Sequence, residues 1–396
     1  MIVYLGNFQF PMGDAVAKRA LGLGICLEKS GYSVAYIGTS SDVDRGMISE
    51  EQKYGSFRYC SISSNCTNVQ RFFNKQDLKC IKEKLGEWNE KFGIESLVFC
   101  GTRNSFFAEA VVNYCRKHGI HTVADSMDWL SYRTRNILFN IIKQMDVNRE
   151  IKRINCRADS IISISTYLHE YYRTRGKRSF VIPPISPLTR KTAFQSENQL
   201  PKLIYAGIPC RLGAPLKRKD DAKDRLDLSI RMINGLKNKG VKCEFDIFGI
   251  TQEQAVVVYP ELSDTIRRLS EDAAIVFKGY CSSEVVQKAI EEASFSILIR
   301  NKTRSNMAGF PTKLAESIVL GTPVITTDVG DVSRYLTDGK ECIIVNPEDL
   351  DYSINKIAAI LSDNGRINEM KKEAYNNHSF SPDHYVEKVE EAVIIR

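Results

Sequence analysis

Apolar and polar residues are arranged along the first half of the chain as short apolar runs separated by longer amphipathic stretches. The run MIVYLG at 1–6 is typical of a buried strand, and residues 15–30 have the apolar spacing of a helix. In the rest of this half, the pattern predicts strands at 33–38, 96–101, 121–125 and 160–165 and helices at 76–92, 105–118 and 134–157. Strands separated by helices at this spacing predict a parallel sheet with helices on both faces.

A proline-rich polar segment, IPPISPLTRKTAFQSENQLP at 182–201, interrupts this pattern. After it the pattern resumes, with strands predicted at 202–207, 243–249, 274–280, 295–300, 322–327 and 341–345 and helices at 222–238, 282–293, 312–320, 331–337 and 349–362. We therefore predict an α/β fold of two Rossmann-like, doubly wound domains, 1–185 and 202–380, joined by a linker at 186–201. Residues 381–396 are predicted to form an amphipathic helix that packs back toward the first domain. Because ligands of open parallel sheets bind outside the carboxyl ends of the strands, we expect the domains to face each other across a ligand-binding cleft.

Composition and charge narrow the class of protein. No apolar run reaches the roughly 20 residues that span a bilayer, and the N-terminal sequence predicts a strand rather than a signal peptide. The 11 cysteines are scattered, odd in number and never paired as CxxC, which favours reduced thiols in a cytoplasmic protein over disulfides or a metal site. A basic surface without interleaved aromatic residues or a DNA-binding module argues against nucleic-acid binding.

The net charge of +7 is unevenly distributed along the chain. Residues 1–185 hold 26 Lys+Arg against 18 Asp+Glu, a net charge of +8, and the remainder is at −1. This favours attraction of the first domain to a phosphate-bearing partner or to an anionic surface, such as the inner face of the cell membrane. Solvated surface lysines explain the same excess equally well.

The segment SILIRNKTRSNMAGFPTKLAESIVLGTPVITTDVGD at 296–331 carries the most chemical information. A buried strand leads through a polar loop and the tripeptide GFP into a helix that begins near Thr312. The free N–H groups at such a helix start can hold a phosphate or sugar hydroxyls. Gly309 allows close approach of the backbone, Pro311 suits the first helical turn, and Glu316 can accept hydrogen bonds from a ribose. The alternative is a helix cap with a solvated glutamate.

This segment resembles the donor site of the GT-B retaining glycosyltransferases, in particular the GT4 family and its GFPTK branch associated with surface-polysaccharide synthesis. The resemblance implies that Glu316 binds the ribose and that Gly309, Phe310, Pro311 and Thr312 line the sugar and phosphate site. Many relatives have a first glutamate eight positions before the second, where this chain has Ala308. Asn306 or Lys313 can substitute for that missing carboxylate at the donor site.

The resemblance also implies cations for the donor diphosphate, because they stabilise the charge that grows on the leaving group. The stretch KDRLDLSI resembles the family's Lys-Asp helix start, which implies Lys223 as the diphosphate ligand, with Arg211 and Arg300 as further candidates. Simple solvation explains a lysine in this charge-dense loop equally well. Gly279 and Tyr280 end a strand where relatives hold the base through the backbone. A plain turn with Ser282 or Ser283 as the helix cap explains the same residues.

The first domain supplies the acceptor-side candidates. Its first loop, GNFQFPMGDAVAKR, resembles the loop that faces donor and acceptor in the family, which singles out Asn7, Gly13 and Arg19, the last in reach of an acidic acceptor group. The segment TVADSMDWLSY lies where many relatives carry a His or Asp near the reacting carbon. We expect Asp125 there as a catalytic residue and Asp128 on the acceptor side, with helix capping as the alternative.

Two rival functions use similar folds. A nucleotide-sugar epimerase would need the donor without a separate acceptor, and a non-catalytic sugar-nucleotide-binding subunit would be compatible with Ala308. The dinucleotide fingerprint fails because GLGICL lies inside a helical run, and no P-loop sequence is present. We therefore expect a retaining hexosyltransferase that uses a UDP- or GDP-linked donor, requires no cofactor or metal, and acts on a glycan or lipid-linked glycan.

Overall fold

The computed structural model describes residues 1–65, 75–102, 104–132, 136–189, 200–210, 212–218 and 222–395. The chain divides into two compact units. Unit 1 comprises Met1–Pro187, Met307–Phe310 and Ser381–Arg396, and unit 2 comprises Leu188–Asn306 and Pro311–Phe380. Residues 190–199 of the predicted linker lie outside the described residues.

Unit 1 is built on an eight-stranded sheet with the order β3-β4-β2-β1-β5-β6-β7-β8. The strands are β1 (Ile2–Gly6), β2 (Val34–Ser40), β3 (Gln52–Tyr54), β4 (Phe57–Ser63), β5 (Ser96–Cys100), β6 (His121–Ser126), β7 (Ser160–Ser163) and β8 (Ser179–Val181). All pairs are parallel except β3 with β4, an antiparallel edge. Every residue of β1, β5 and β7 is buried, as expected for central strands covered by helices on both faces.

The helices that follow these strands are α1 (Ala15–Lys29), α2 (Lys75–Phe92), α3 (Ser105–Lys117), α4 (Ile137–Arg149) and α5 (Thr166–Arg173). Side chains cap their first turns: Asp14 accepts from Ala17 N at 2.8 Å in α1, and Asn104 accepts from Phe106 N and Phe107 N at 2.9 Å in α3. Such caps satisfy N–H groups that have no partner within the helix and so fix where each helix begins.

Unit 2 is built on a six-stranded sheet with the order β11-β10-β9-β12-β13-β14, in which all pairs are parallel. The strands are β9 (Lys202–Ala206), β10 (Glu244–Phe248), β11 (Ile275–Gly279), β12 (Phe295–Leu298), β13 (Val324–Thr326) and β14 (Cys342–Ile344). The helices are α6 (Leu226–Asn238), α7 (Gln252–Val258), α8 (Ser263–Glu271), α9 (Ser283–Glu292), α10 (Arg304–Ala308), α11 (Thr312–Val319), α12 (Val332–Tyr335), α13 (Leu350–Leu361) and α14 (Asn364–Asn376). The strand order reverses between β9 and β12, the point at which open α/β sheets bind ligands.

The last helix, α15 (Val386–Val393), packs on α1 and completes the core of unit 1. Its apolar residues Val389, Ala392 and Val393 are buried with Leu23 and Leu27 of α1. Ser96 Oγ of β5 also donates to Val393 O at 2.7 Å, which ties the helix end to the sheet.

The predicted α/β fold with two parallel sheets is confirmed, and the differences are local. The sequence pattern predicted one helix over 134–157, and it gave no bounds for β3, β4, β8, α5, α7, α8, α10 and α14. In the structure α4 ends at Arg149 and continues as a π-helical turn (Glu150–Ile154) and a 3-10 turn (Asn155–Arg157). The ten cysteines in the described part of the chain are free thiols. None of the helices among the described residues has the length and apolarity needed to cross a membrane.

Candidate functional site

Unit 1 contains a cavity of about 300 Å³ at the carboxyl ends of β1, β5 and β6. These three strands are neighbours in the sheet, so the residues that follow them meet at one edge. The lining includes Asn7, Asp125 and Asp128, which the sequence had singled out, but neither Gly13 nor Arg19. Further polar lining residues are Thr102, Ser126, Tyr132, Lys143, Asp146, Glu150 and Asn155.

Arg19 and Asp125 form an ion pair inside unit 1, with both side chains fully buried. Arg19 Nε lies 2.9 Å from Asp125 Oδ2 and Nη2 lies 2.8 Å from Oδ1. The guanidinium also donates to the carbonyl oxygens of Pro183 at 2.8 Å and Ile182 at 3.1 Å, so four of its five N–H groups are used. These donors hold Asp125 and the segment after β8. The acceptor-side role of Arg19 stays a prediction, which these contacts do not favour.

The Asp125 carboxylate also accepts a short hydrogen bond from the Tyr4 hydroxyl. Burial, and then the negative charge of Asp125, raises the pKa of Tyr4 well above its usual value, so this hydroxyl stays a donor. Asp125 thus lines the cavity as the acceptor for two buried donors, Tyr4 and Arg19, and its catalytic role stays a prediction.

Gly13 serves the turn ahead of α1. Its N–H donates to Gln9 O at 2.9 Å, and a Cβ on Gly13 would lie 2.6 Å from the Cβ of Gln9. The close approach explains why glycine occupies this position. Its part in an acceptor site stays a prediction.

Three charged side chains from α4 and the turn after it form one wall of the cavity. Asp146 Oδ1 accepts from Ser105 N at the start of α3 at 2.9 Å, and Lys143 Nζ lies 3.8 Å from Asp146 Oδ2. Glu150 opens the π-helical turn, a feature that often occurs at functional sites. Burial, and after it the negative charge of Asp146, raises the pKa of Glu150 to about 7, while Lys143 acts in the opposite direction.

Sequence reasoning missed Lys143, Asp146 and Glu150. A continuous helix over 134–157 would be expected to turn its charged residues to solvent and its apolar residues inward. The only available signal was the i, i+3 and i+4 spacing of these three charges on one helix face.

In unit 2, Arg300 is held by a buried carboxylate. Its Nε donates to Asp224 Oδ1 at 2.8 Å, and the Tyr205 hydroxyl donates to Asp224 Oδ2 at 3.1 Å. Arg300 is 9% exposed and follows β12, while Asp224 lies just before α6. The pair ties together the two strand ends at the point where the strand order reverses.

Lys223 precedes this buried pair and is itself exposed. Its backbone N–H donates to Pro209 O at 2.8 Å, which fixes the loop between β9 and α6. An exposed ammonium beside the switch point can meet a phosphate without breaking an existing ion pair. Arg211, its predicted partner, lies outside the described residues.

A second cavity, of about 1090 Å³, opens in unit 2 around residues that follow β12, β13 and β14. Among the predicted site residues that the structure describes, Arg300 lines this cavity, and Glu316 and Lys223 do not. Its charged lining residues are Lys217, Arg225, Asp227, Arg231, Glu261, Arg300, Lys302, Asp328 and Glu348. Arg225 is already engaged, since it donates to both oxygens of Asp227 at 2.8 and 2.7 Å.

Helix α11 begins at Thr312, as predicted, with Pro311 in the cap position rather than in the first turn. Glu316 is 4% exposed, and Lys313 Nζ lies 2.9 Å from its Oε2. The carboxylate is therefore buried and paired, which contradicts the alternative of a solvated glutamate. A buried carboxylate one turn into a helix is suited to accept hydrogen bonds from a ligand hydroxyl pair.

The residues just before this helix, Met307–Phe310, group with unit 1. There Ser165 Oγ, at the start of α5, donates to Ala308 O at 2.6 Å, and Ala308 is fully buried. Phe310 is 6% exposed. A longer glutamate side chain at position 308 would have to fit into this buried environment, which gives a steric reason for the small residue there.

The turn after β11 was interpreted from the sequence either as a contact for the nucleotide base or as a plain turn with a serine helix cap. Gly279 has a φ of +63° and its carbonyl accepts from Gly249 N at 2.7 Å, so the backbone here is fixed in a conformation that suits glycine. Ser282 caps α9 by accepting from Val285 N at 3.5 Å. Tyr280 is 89% exposed, which leaves its ring available to a base or to solvent.

In the described residues, no group of three or more His, Cys, Asp or Glu side chains converges on a position for a metal ion.

Residues 216–363 match the family model "Glycosyl transferases group 1". The matched range runs from the loop before α6 into the residues after α13, and it contains Lys223, Arg300, Lys313 and Glu316. No curated protein sequence is a significant match.

Solved structures resemble the chain over almost its whole length at low sequence identity. The sucrose-phosphate synthase of Thermosynechococcus elongatus is 14% identical, with a TM-score of 0.64 over 98% of this chain and 97% of that one. The catalytic domain of starch synthase IV from Arabidopsis thaliana, bound to ADP and acarbose, is 10% identical, with a TM-score of 0.66 over 99% of both. HepE of Anabaena, in complex with UDP and glucose, is 11% identical, with a TM-score of 0.64 over 98% of both. Taken with the two parallel sheets, these similarities show that the chain has the GT-B fold, and its residues 216–363 are similar to the group 1 glycosyltransferases.

Proposed function

We propose that this protein is a glycosyltransferase that transfers a sugar, with retention of anomeric configuration, from a nucleotide-sugar donor to a glycan or lipid-linked glycan during surface-polysaccharide synthesis. The observation that carries the proposal is the buried Glu316 carboxylate on α11, within the range that matches the family model. The structural neighbours that hold UDP with glucose, or ADP with acarbose, support a nucleotide-sugar donor here, UDP- or GDP-linked. The reaction is proposed to occur in the cytoplasm, at the inner face of the membrane.

The donor is proposed to bind unit 2 between α11 and the loop before α6. Glu316 accepts from the ribose hydroxyls, with Lys313 holding its carboxylate, and the N–H groups at the start of α11 meet the phosphates. Lys223 supplies the exposed cation for the diphosphate, and Arg300 adds a second positive charge that Asp224 holds in place. Gly309, Phe310, Gly279 and Tyr280 remain proposed contacts for the sugar and base.

The chemistry needs no protein base in this proposal. The bond between the acceptor oxygen and the anomeric carbon forms as the bond from that carbon to the diphosphate oxygen breaks, on the same face of the sugar. The acceptor hydroxyl proton passes to the leaving diphosphate oxygen. The protein's contribution is to orient the two substrates and to stabilise the negative charge on the leaving group, and no metal ion is required.

The acceptor is proposed to bind the 300 Å³ cavity of unit 1. Among the described residues, its walls carry the carboxyl groups of Asp128, Asp146 and Glu150 and the ammonium of Lys143, together with Asp125, whose charge Arg19 already balances. Carboxylates accept hydrogen bonds from sugar hydroxyls and repel phosphate or carboxylate groups. The part of the acceptor that enters this cavity is therefore a neutral or amino sugar, which replaces the acidic group expected from Arg19.

A donor panel tests the proposal. Thermal shift with UDP- and GDP-sugars should raise the melting temperature of the wild type, because the ligand binds only the folded state. Glu316→Gln should weaken nucleotide binding about 10-fold or more, as expected for hydrogen bonds to a charged group. The matched control is Glu271→Gln, an exposed carboxylate at the end of α8, which should bind as the wild type does.

Product analysis separates the rival functions. Transfer with retained configuration, insensitive to EDTA, supports the proposal. An epimerised donor indicates an epimerase, and binding without turnover indicates a non-catalytic subunit. Unchanged nucleotide affinity in Glu316→Gln would refute the ribose assignment.

A further inference from the structure

Helix α4 buries the charged residues Lys143 and Asp146 and exposes five large aliphatic side chains. Lys143 and Asp146 are each 8% exposed and face the cavity of unit 1. The outer face of α4 consists of five residues, exposed as follows: Ile137 74%, Leu138 67%, Ile141 51%, Ile142 41% and Met145 67%. Helices at a protein–water boundary normally show the opposite arrangement, with the apolar stripe inward.

These five positions form one continuous patch. Leu138, Ile141, Ile142 and Met145 are three or four residues apart, a spacing that brings side chains together on one side of a helix. From the exposed fractions the patch amounts to roughly 500 Å² of apolar surface, a size that on a monomer is often functional.

The exposed charged residues of the turn that continues α4 are basic. The single acidic residue of α4, Asp146, is buried on the opposite face. The turn that continues the helix carries Lys152 and Arg153, both exposed, while the nearby Glu109 is already paired with Arg149 and Arg157. An aliphatic stripe that ends in cations is complementary to a layer of acyl chains covered by anionic headgroups.

We propose that the outer face of α4 docks into the interfacial layer of an anionic lipid bilayer. The five side chains have no hydrogen-bonding groups, and their patch is smaller than the ~800 Å² that each partner of a standard protein interface buries. An amphipathic helix, in contrast, binds a bilayer by sinking its apolar face about 5–10 Å into the headgroup region. The net charge of +8 on residues 1–185 attracts the same surface. The inference deepens the location at the inner face of the membrane that the proposed function includes, and it does not depend on the donor or acceptor.

Vesicle flotation tests the docking with the full-length protein. The probes are vesicles of phosphatidylglycerol and phosphatidylethanolamine in a 3:7 ratio, and vesicles of phosphatidylcholine alone. The wild type should float with the anionic vesicles, and less so in 0.5 M NaCl because salt screens the attraction. Ile141→Ser with Met145→Ser should lower the partition coefficient about 10-fold or more. The matched control, Val257→Ser with Val285→Ser, removes two aliphatic side chains of unit 2 that are 45% and 51% exposed, and it should float as the wild type does.

Two control measurements distinguish a loss of membrane binding from a folding defect and from a failure of the proposed function. The α4 variant should keep the wild-type melting temperature and nucleotide affinity, because both substituted side chains are exposed. Two results would overturn the proposal: a wild type that does not float with anionic vesicles, or an α4 variant that floats as well as the wild type. A wild-type dimer that the α4 variant converts to a monomer in light scattering would instead assign the patch to a second copy of the chain.

Discussion

Replacing Asp125 with asparagine would leave the Arg19 guanidinium buried without its counter-charge. Both side chains are fully buried, and removing one partner of such a pair costs about 3–5 kcal/mol of unfolding free energy. The carbonyls of Ile182 and Pro183 still accept from Arg19, so we expect the lower end of that range, about 3 kcal/mol. For a unit of this size that loss lowers the melting temperature by roughly 6–12 °C.

Urea and thermal unfolding would measure the effect, with two controls. Asp383→Asn breaks the Lys29–Asp383 pair, whose side chains are 44% and 73% exposed, and it should cost less than about 1 kcal/mol. Arg19→Met combined with Asp125→Leu removes both charges and should recover part of the stability lost in Asp125→Asn, because no unpaired charge remains buried.

A loss below about 1 kcal/mol in Asp125→Asn would refute the reasoning, since it would mean that the buried guanidinium needs no carboxylate. An Asp125→Asn protein with wild-type stability and no turnover would instead indicate that Asp125 acts directly at the reacting carbon. A destabilised protein that still turns over at low temperature would confirm the positioning role.

Three further changes test other features. The pKa of Glu150 is about 7 in the folded protein and near 4.5 when unfolded, so the folded state holds the proton more tightly and stability falls as pH rises between these values. Glu150→Gln should therefore be about 1–3 kcal/mol more stable than the wild type at pH 8, with the difference shrinking by pH 5; parallel pH profiles would contradict the burial of this carboxyl. Gly22→Ala should cost about 1–3 kcal/mol in urea unfolding because its Cβ would lie 2.4 Å from Ile185 O. The control Gly86→Ala, whose Cβ would meet only Tyr114 Oη at 3.5 Å, should be neutral or stabilising, and equal effects would refute the steric argument. Asn104→Ala should cost about 1 kcal/mol because it removes the cap of α3, and an unchanged denaturation midpoint would show that water replaces the cap.

The two sheets were predictable because most of their strands are apolar runs buried on both faces. The run IVYLG of β1 is fully buried, and a short apolar run between helical patterns is typical of a strand in a parallel sheet. Strand β4, FRYCSIS, was missed because polar and half-buried residues such as Arg58 and Tyr59 interrupt its pattern. A strand near a sheet edge keeps one side partly open, so its sequence lacks the continuous apolar signal.

The ion pairs were not predictable, because their members are far apart in sequence. Arg19 lies 106 residues before Asp125, and Asp224 lies 76 residues before Arg300. A local pattern identifies each charged residue, and only the folded sheet brings the partners together. Pattern analysis therefore singled out Arg19 and Arg300 as ligand contacts without showing that each guanidinium group also binds a carboxylate of the protein itself.

Helix α4 shows how a local rule fails when the surroundings reverse it. Periodicity gives the axis of a helix and the grouping of its side chains, but the rule that the apolar group faces inward assumes a core to receive it. In unit 1 that position is a polar cavity, and Asp146 bonds to the first N–H of α3 there. The orientation of α4 follows from these contacts, which the sequence of the helix alone does not contain.

The packing of α15 on α1 has a consequence for how the protein is made. The chain leaves unit 1 at Pro187 and re-enters it for its last segment at Ser381. During synthesis the apolar side of α1 that α15 covers stays open while the ribosome translates nearly the whole of unit 2. Unit 1 begins to be made first yet reaches its final core last, so the nascent polypeptide needs protection from aggregation until residues 386–393 have emerged.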